Sequence, residues 1–220
     1  KLLLKDISIP EISDNEVLVK VKAISINPVD VRTRAGSAMA QFLKQHMPLI
    51  LGWDISGEIV SVGTKVTKFK VDDHVFGMVN FLGHGKGYAE YVAVPETHLA
   101  KIPSNTNFED AAAATLSALT VWQFLVHEAK IKSGDKILIQ AASGGVGHYA
   151  VQIAKHFGAY VIGVSSSKNK DFVMSLGADE HISYDKQEVA DVISDVDIVV
   201  DAFAFDSLYK SLKIVKNGGL

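Results

Sequence analysis

A glycine-rich segment, QAASGGVGHYA at residues 140–150, directly follows the apolar run Lys136–Ile139. Within it, Gly145, Gly147 and Ala150 match the pattern G-x-G-x-x-A, and a run of helix formers continues beyond it. Glycine loses more conformational freedom on folding than any other residue, so glycines between a strand and a helix indicate a tight turn or a close approach of the backbone. The segment therefore predicts a strand–loop–helix unit of a parallel sheet.

The loop has the composition of a phosphate-binding turn. In this interpretation Gly145 makes the tight turn, Gly147 lets backbone N–H groups approach a pyrophosphate, and Ala150 allows helix and strand to pack closely. The amino terminus of the helix adds the positive end of its dipole. A turn that binds nothing is the alternative, and the strands on either side favour a dinucleotide site. The residues expected to contact the diphosphate are Ser143, Gly144, Gly145, Val146 and Gly147.

The turn after the next strand indicates which dinucleotide is bound. Sites for NAD carry an Asp or Glu about 20 residues beyond the loop, where it binds the ribose 2′-hydroxyl. Here that segment is VSSSK, with hydroxyls at Ser165 and Ser166 and the ammonium of Lys168. Hydroxyl donors and a positive charge suit a 2′-phosphate, which a carboxylate would repel. A solvated polar turn is the alternative, and we predict NADPH as the cofactor.

Two hydrophobic patterns divide the chain. Short alternating strands up to about residue 100 are typical of a small barrel or sandwich, and apolar strands with helical crossovers beyond about residue 105 are typical of a doubly wound parallel sheet. The predicted strands of the first part are Glu16–Ile26, Gly57–Gly63, Asp73–Val79 and Tyr88–Val94, with a helical turn near Ala38–Gln45. The second part has predicted strands at Lys136–Gln140, Ala159–Ser165 and Val196–Ala202, and helices at Asn107–Ala129, Val146–Phe157 and Lys170–Leu176. We predict an α/β chain with domains at residues 1–103 and 104–220.

Composition excludes several classes of function. A net charge of −3 without a basic run gives no footprint for nucleic acid, and no apolar stretch is long enough to span a bilayer. The chain of 220 residues contains no cysteine, which removes disulfides and thiolate metal sites, so we expect a cytoplasmic protein. Both ends look interrupted, and we expect this to be part of a longer chain.

Several motifs together resemble those of the medium-chain dehydrogenase/reductase superfamily, and most closely its zinc-free quinone oxidoreductase branch. They are INPVD (26–30), LGWDISGEIVSVG (51–63), GYAEYV (87–92), AASGGVG (141–147) and SLGADEHISYD (175–185). The resemblance implies a GroES-like β-barrel domain followed by a Rossmann domain. It also implies that the Rossmann domain is C-terminally incomplete here, since in that family the tail returns to complete the first domain.

The same resemblance bears on zinc. Zinc alcohol dehydrogenases of this superfamily hold their catalytic metal with a Cys and with a His-Glu pair after a glycine. The corresponding positions here are Asn27 and the pair Trp53-Asp54 after Gly52. An indole cannot bind zinc and no cysteine replaces the thiolate, so we predict no metal site.

Without a Lewis acid, hydride transfer to a conjugated acceptor is easier than to an isolated ketone. We therefore predict an NADPH-dependent reductase of quinones or α,β-unsaturated carbonyls, with water or a hydroxyl supplying the proton. The resemblance implies that Asn27 and Thr120 lie near the nicotinamide, that Arg32 reaches the cofactor, and that Tyr184 joins Ser166 and Lys168 near the 2′-phosphate. Each of these residues has an alternative role. Asn27 could be a turn residue before Pro28, Arg32 a surface arginine and Thr120 a helix cap.

Two other functions stay open. One is a reductase of enoyl thioesters, and the other is a non-catalytic NADPH-binding protein, of the kind recruited in this superfamily as a lens crystallin or RNA binder. The balanced charge argues against RNA, and the intact glycine loop argues for working cofactor binding. The resemblance also implies a homodimer.

Overall fold

The computed structural model describes residues 2–46, 48–201 and 208–220. Its contacts divide the chain into two compact units, residues 1–116 and 117–220. The boundary lies inside the helix Phe108–Val121. The division at residues 103 and 104, which lies just before this helix, remains our proposed limit of the two sequence domains.

The first unit is built on an antiparallel sheet in the order β4–β1–β2–β3–β5. Its strands are β1 (Glu16–Ile24), β2 (Asp54–Val62), β3 (His74–Met78), β4 (Tyr91–Pro95) and β5 (Ala100–Lys101). Its helices are α1 (Pro28–Arg34), α2 (Ala40–Leu43) and the first part of α3 (Phe108–Val121).

Alternation of side chains explains the core of this unit. Along β1, Val17 and Val19 are fully buried, whereas Lys20 is exposed, which is the period of a strand with one covered face. Val17 and Val19 pack with Ile55 and Ile59 of β2 in one hydrophobic cluster.

The second unit contains a parallel sheet in the order β8–β7–β6–β9. Its strands are β6 (Lys136–Ile139), β7 (Tyr160–Ser165), β8 (Glu180–Ser183) and β9 (Ile198–Val200). Its helices are α4 (Gly145–His156), α5 (Lys170–Ser175), α6 (Val189–Val192) and α7 (Leu208–Leu212), and α3 continues into a π-helix at Trp122–Glu128.

Both faces of this sheet are covered. Ile137 and Ile139 of β6 belong to one hydrophobic cluster, and Leu138 between them belongs to another. Because successive side chains of a strand point to opposite faces, an uninterrupted apolar run is what a doubly covered strand needs. The prediction of a doubly wound parallel sheet from these runs is confirmed.

Most predicted elements occur, with several differences. The strand predicted at Tyr88–Val94 begins only at Tyr91, and the predicted strand Val196–Ala202 is Ile198–Val200, with Ala202 outside the described residues. Strand β8 is absent from the predicted elements, because the short sequence EHIS has no apolar run and belongs to an edge strand.

The helix predicted at Asn107–Ala129 changes its hydrogen bonding near its end. After Val121 the backbone widens, and the Ala129 amide donates to the Phe124 carbonyl at 2.9 Å, five residues back. The Trp122 indole donates to Nε2 of His127 across the same interval, at 3.0 Å. Residue propensities carry no signal for this change of hydrogen bonding.

Among the residues that the structure describes, no helix is both long enough and apolar enough to cross a membrane.

Neighbouring residues of β2 test the core of the first unit. Ile59 is 0% exposed and Val60 is 36% exposed. We expect Ile59→Ala to lower the free energy of unfolding by about 2–5 kcal/mol, because it removes buried methyl groups and leaves a cavity. The matched change Val60→Ala should cost about 1 kcal/mol or less. Urea unfolding of both variants measures the difference, and equal losses would contradict the placement of Ile59 in the core.

Candidate functional site

The glycine loop of the second unit joins the end of β6 to the start of α4. Gly144 precedes the helix in an extended conformation, and its amide donates to the Ala141 carbonyl at 2.8 Å. The tight turn expected at Gly145 is made earlier, at Ala141, whose φ is +49°. Gly145 is instead the first residue of the helix. The first amides of a helix have no partner within it, so they are available to an anion at this end.

Gly147 has a steric role in this loop. A Cβ placed there would overlap the carbonyl oxygen of Ala141 and come within 2.8 Å of the Ala142 Cα. A Cβ on Gly145 would meet only the Ser117 hydroxyl, at 3.5 Å. Gly147 is therefore needed for α4 to pack against its own loop, in addition to any ligand, and the side of Gly145 is comparatively open.

The turn after β7 is held by bonds to neighbouring segments. The Ser165 hydroxyl is buried and lies 2.7 Å from Nε2 of His181, on the adjacent strand. The Asn169 side chain donates to the Ser143 hydroxyl at 2.9 Å, which ties this turn to the glycine loop. Of the predicted phosphate-binding residues, Ser165 is thus engaged inside the protein, whereas Ser166 is half-buried and Lys168 is exposed.

An acidic residue also reaches this turn from the next strand. The carboxylate of Asp185 accepts the Ser167 amide at 2.8 Å and the Ser167 hydroxyl at 2.7 Å. These bonds hold the pKa of Asp185 below its usual range. The sequence pattern of the turn shows no acid, because Asp185 lies 18 residues further along the chain than Ser167.

Tyr184 follows the carboxyl end of β8 and is exposed. It lines a cavity of about 270 Å³ in the second unit. The other lining residues are Gln140, Gln187, Glu188, Val189, Ala190, Lys210 and Ile214. This volume lies just below the range of about 300–1,000 Å³ that is usual for ligand pockets.

In the first unit, the predicted site residue Asn27 caps α1. Pro28 occupies the first helical position, which its fixed φ favours. Asp30, three residues after Asn27, accepts the Asn27 backbone amide at 2.7 Å. The sequence Asn-Pro-Val-Asp thus carries a helix-start signal in addition to the turn signal of its Asn-Pro pair.

The Asn27 side chain is bound to a buried carboxylate. Its nitrogen donates to Oδ2 of Asp54 at 2.8 Å and to the Ser25 hydroxyl at 2.9 Å. Asp54 Oδ2 also accepts the Ser25 hydroxyl at 2.7 Å and the Leu116 amide at 3.2 Å. In the sequence, Asp54 stands out only as the second residue of the Trp53-Asp54 pair that replaces a His-Glu pair, because its hydrogen-bond partners lie far away along the chain.

Asp54 belongs to a cluster of buried ionisable groups with Asp30 and Tyr88. Burial raises the pKa of both carboxyls, and hydrogen bonds from Asn27 act in the opposite direction on each. Burial, followed by the charge of Asp30, raises the pKa of Tyr88 to about 12. The Oδ1 atoms of both aspartates and the Tyr88 hydroxyl are buried without a well-formed hydrogen bond to any described residue.

Trp53 packs in the core of the first unit. It is 2% exposed, contacts Met39 and Leu43, and donates its indole N–H to the Gly83 carbonyl at 2.8 Å. Within the described ranges, no group of three or more His, Cys, Asp or Glu side chains is arranged to hold a metal ion.

The remaining predicted residues lie on helices. Arg32 is exposed on α1, where its carbonyl oxygen accepts the amide and the hydroxyl of Ser37, both at 2.9 Å. Thr120 is half-buried near the end of α3, in the second unit.

Both units match families of dehydrogenases. Residues 13–104 match the family described as alcohol dehydrogenase GroES-like domain, and residues 145–220 match the family described as zinc-binding dehydrogenase. A chloroplast envelope quinone oxidoreductase homolog of Arabidopsis thaliana is 41% identical over 189 residues, which are 84% of this chain and 57% of that protein. The NADPH-dependent alkenal/one oxidoreductase, chloroplastic, of the same plant is 37% identical over 221 residues, or 97% of this chain and 56% of that protein.

A solved structure of a quinone oxidoreductase is also similar to this chain. The quinone oxidoreductase from Coxiella burnetii superposes with a TM-score of 0.92 and 36% identity, over 99% of this chain and 69% of that one. The chain belongs to the quinone oxidoreductase branch of the medium-chain dehydrogenase/reductase superfamily. The expected GroES-like and Rossmann-type architecture is thereby confirmed. The chain spans little more than half the length of the two curated relatives, at 57% and 56%.

Two glycines of the loop provide a matched test. Gly147→Ala should cost about 1–3 kcal/mol of stability, because the new methyl group overlaps the Ala141 carbonyl. Gly145→Ala should leave stability unchanged or raise it by up to about 1 kcal/mol, because alanine is the better helix former at a position with space. Thermal unfolding without any ligand measures both variants. Equal melting temperatures would show that Gly147 is not needed for packing.

Proposed function

We propose that this protein is an NADPH-dependent oxidoreductase that transfers hydride to quinones or to α,β-unsaturated carbonyls without a metal ion. The observation that carries the proposal is the glycine loop of the second unit, together with the Ser166–Lys168 turn at the neighbouring strand end. Both follow the carboxyl ends of parallel strands, where sheets of this kind bind ligands. Relatives named as quinone and alkenal/one oxidoreductases support the reaction class.

The chemistry of the residues suits NADPH. The free amides at the start of α4 supply donors for the diphosphate, in the loop of Ser143, Gly144, Gly145, Val146 and Gly147. Ser166 supplies a hydroxyl and Lys168 a positive charge for a 2′-phosphate. Tyr184 would lie near the same phosphate. Ser165 supports the turn from inside through His181 rather than binding the phosphate. When bound, NADPH supplies the hydride.

Zinc independence is supported by the residue types at the positions that hold zinc in related dehydrogenases. Asn27 offers an amide, and Trp53 an indole that is already bound to Gly83. Asp54 is the remaining carboxylate, and its Oδ2 already accepts three hydrogen bonds. A protein without a Lewis acid must rely on an acceptor that delocalises the developing charge itself, which quinones and enones do.

Three residues are proposed at the reacting end, on the strength of the family resemblance. Asn27 and Thr120 would contact the nicotinamide region, and Arg32 would reach the cofactor. The family resemblance also supports a homodimer. The absence of cysteine favours the cytoplasm, and the chloroplastic relative offers a plastid as the competing location.

The first test is turnover by the full-length protein. We expect NADPH to be consumed with a simple quinone or a simple enone much faster than NADH, and at an unchanged rate after treatment with a metal chelator. Absorbance at the reduced-nicotinamide band follows the reaction, and a crotonyl thioester serves as a third acceptor. Activity lost to the chelator would refute zinc independence. Tight NADPH binding without turnover of any acceptor would favour a binding protein.

The second test concerns cofactor choice. Lys168→Ala should weaken NADPH binding about 10-fold, since it removes one charge from the proposed phosphate site, and should leave NADH binding nearly unchanged. The matched control is Lys20→Ala, which removes an exposed lysine from β1 of the first unit. Titration of each cofactor against protein fluorescence gives the constants. A parallel loss for both cofactors would place Lys168 away from the 2′-phosphate.

A further inference from the structure

We propose that Asp54 is a positioning residue that holds the Asn27 amide in one orientation, so that Asn27 presents its side-chain oxygen, and not its nitrogen, to the bound dinucleotide. The inference rests on the proposed function, because it takes Asn27 as a residue of the reacting end. It adds to that function a buried residue that touches neither cofactor nor substrate.

The orientation follows from the partners of the Asn27 nitrogen. A carboxylate oxygen only accepts hydrogen bonds, so the group of Asn27 that faces Asp54 Oδ2 at 2.8 Å must be its NH₂. The second hydrogen of this nitrogen is taken by the Ser25 hydroxyl at 2.9 Å. Ser25 can accept it because its own proton is donated to Asp54 at 2.7 Å. The three side chains thus form a closed ring of hydrogen bonds in which each donor has one possible direction.

This ring occupies both hydrogens of the Asn27 nitrogen. The Asn27 side-chain oxygen faces the Asp30 amide in the capping box of α1, and its second acceptor position has capacity for a ligand. An amide oxygen can only accept hydrogen bonds, and the oxygens of quinones and enones can also only accept them, so the two cannot bond to each other. Asn27 therefore cannot stabilise the charge that develops on such a substrate. Its partner must be a donor, and the reacting end of a nicotinamide dinucleotide carries two kinds, the ribose hydroxyls and the carboxamide N–H.

The position of Asp54 is itself well fixed. It lies on β2, is 0% exposed, and accepts the backbone amide of Leu116 from α3 at 3.2 Å. The backbone of Asn27 is held separately, by Asp30 at 2.7 Å. Because the main chain of Asn27 has its own anchor, loss of Asp54 should free the side chain without releasing the α1 start.

Strand β2 also provides a matched control. Ser56 lies two residues after Asp54, on the same face of the strand, and its hydroxyl donates to the Phe108 carbonyl of α3 at 2.6 Å. Ser56→Ala therefore removes a buried bond between the same strand and the same helix, but leaves Asn27 untouched. It reports the effect of a weakened α3 contact alone.

The experiment compares kcat/KM for NADPH in the full-length protein and its variants. We expect Asp54→Leu and Asn27→Ala each to lose about 10- to 100-fold, because a displaced positioning group has effects of this size. The double variant should be no worse than Asn27→Ala, since Asp54 acts through Asn27. Asp54→Asn, which keeps an acceptor oxygen, should recover most of the activity, and Ser56→Ala should lower the melting temperature without changing kcat/KM.

The outcomes separate the inference from the proposed function. If Asn27→Ala loses activity and Asp54→Leu does not, or if their losses multiply in the double variant, the positioning role is overturned and the function stands. If Asn27→Ala has no effect, the assignment of Asn27 to the reacting end fails, and the positioning role fails with it.

A second measurement needs no turnover and uses Asp54→Asn in case Asp54→Leu does not fold. In ¹⁵N-labelled protein, the side-chain NH₂ protons of Asn27 should exchange slowly with solvent in the wild type and in Ser56→Ala. In Asp54→Leu they should exchange rapidly, and in Asp54→Asn they should shift in frequency while staying protected. Rapid exchange in the wild type, or an unshifted signal in Asp54→Asn, would overturn the proposal even if no acceptor were ever reduced.

Discussion

Three segments of the first unit meet at one oxygen atom, Oδ2 of Asp54, which is itself carried by β2. The connection from β1 to α1 reaches it through Ser25 and Asn27, and α3 reaches it through the amide of Leu116. A buried carboxylate is costly to desolvate, and it persists in a fold only where enough donors satisfy it. Burial raises the pKa of Asp54, and the hydrogen bonds from Ser25, Asn27 and Leu116 act against this rise. The geometry of this part of the unit therefore depends on keeping every donor in place.

In the second unit, the packing of α4 against the glycine loop depends on the absence of a side chain at Gly147. Helix α4 can begin beside the end of β6 only because residue 147 has no Cβ. The bond from Asn169 to Ser143 then links this loop to the turn after β7. Two segments that are expected to serve one ligand are thus joined to each other within the protein. Such a link reduces the ordering that binding must otherwise supply.

The sequence predicted the fold well because its strongest signals are local. The apolar run 136–139 and the alternation along β1 require nothing but their own residues, and the sheets follow from them. The site was harder to predict from the sequence, because it depends on contacts between residues that lie far apart along the chain. Ser165 bonds to His181 16 residues away, and Asp54 to Leu116 62 residues away. The family resemblance identified Asn27 as a candidate, but the orientation of its side chain depends on a strand pairing that no local pattern contains.

The carboxylate that closes the turn after β7 has a consequence for redesign. Asp185 binds both the amide and the hydroxyl of Ser167, so the shape of the turn is encoded at two places in the gene. If only residues 165–168 were exchanged to alter nucleotide preference, Asp185 would remain and would still bind the backbone amide at position 167. Library designs for this protein should therefore vary residues 165–168 and residue 185 together.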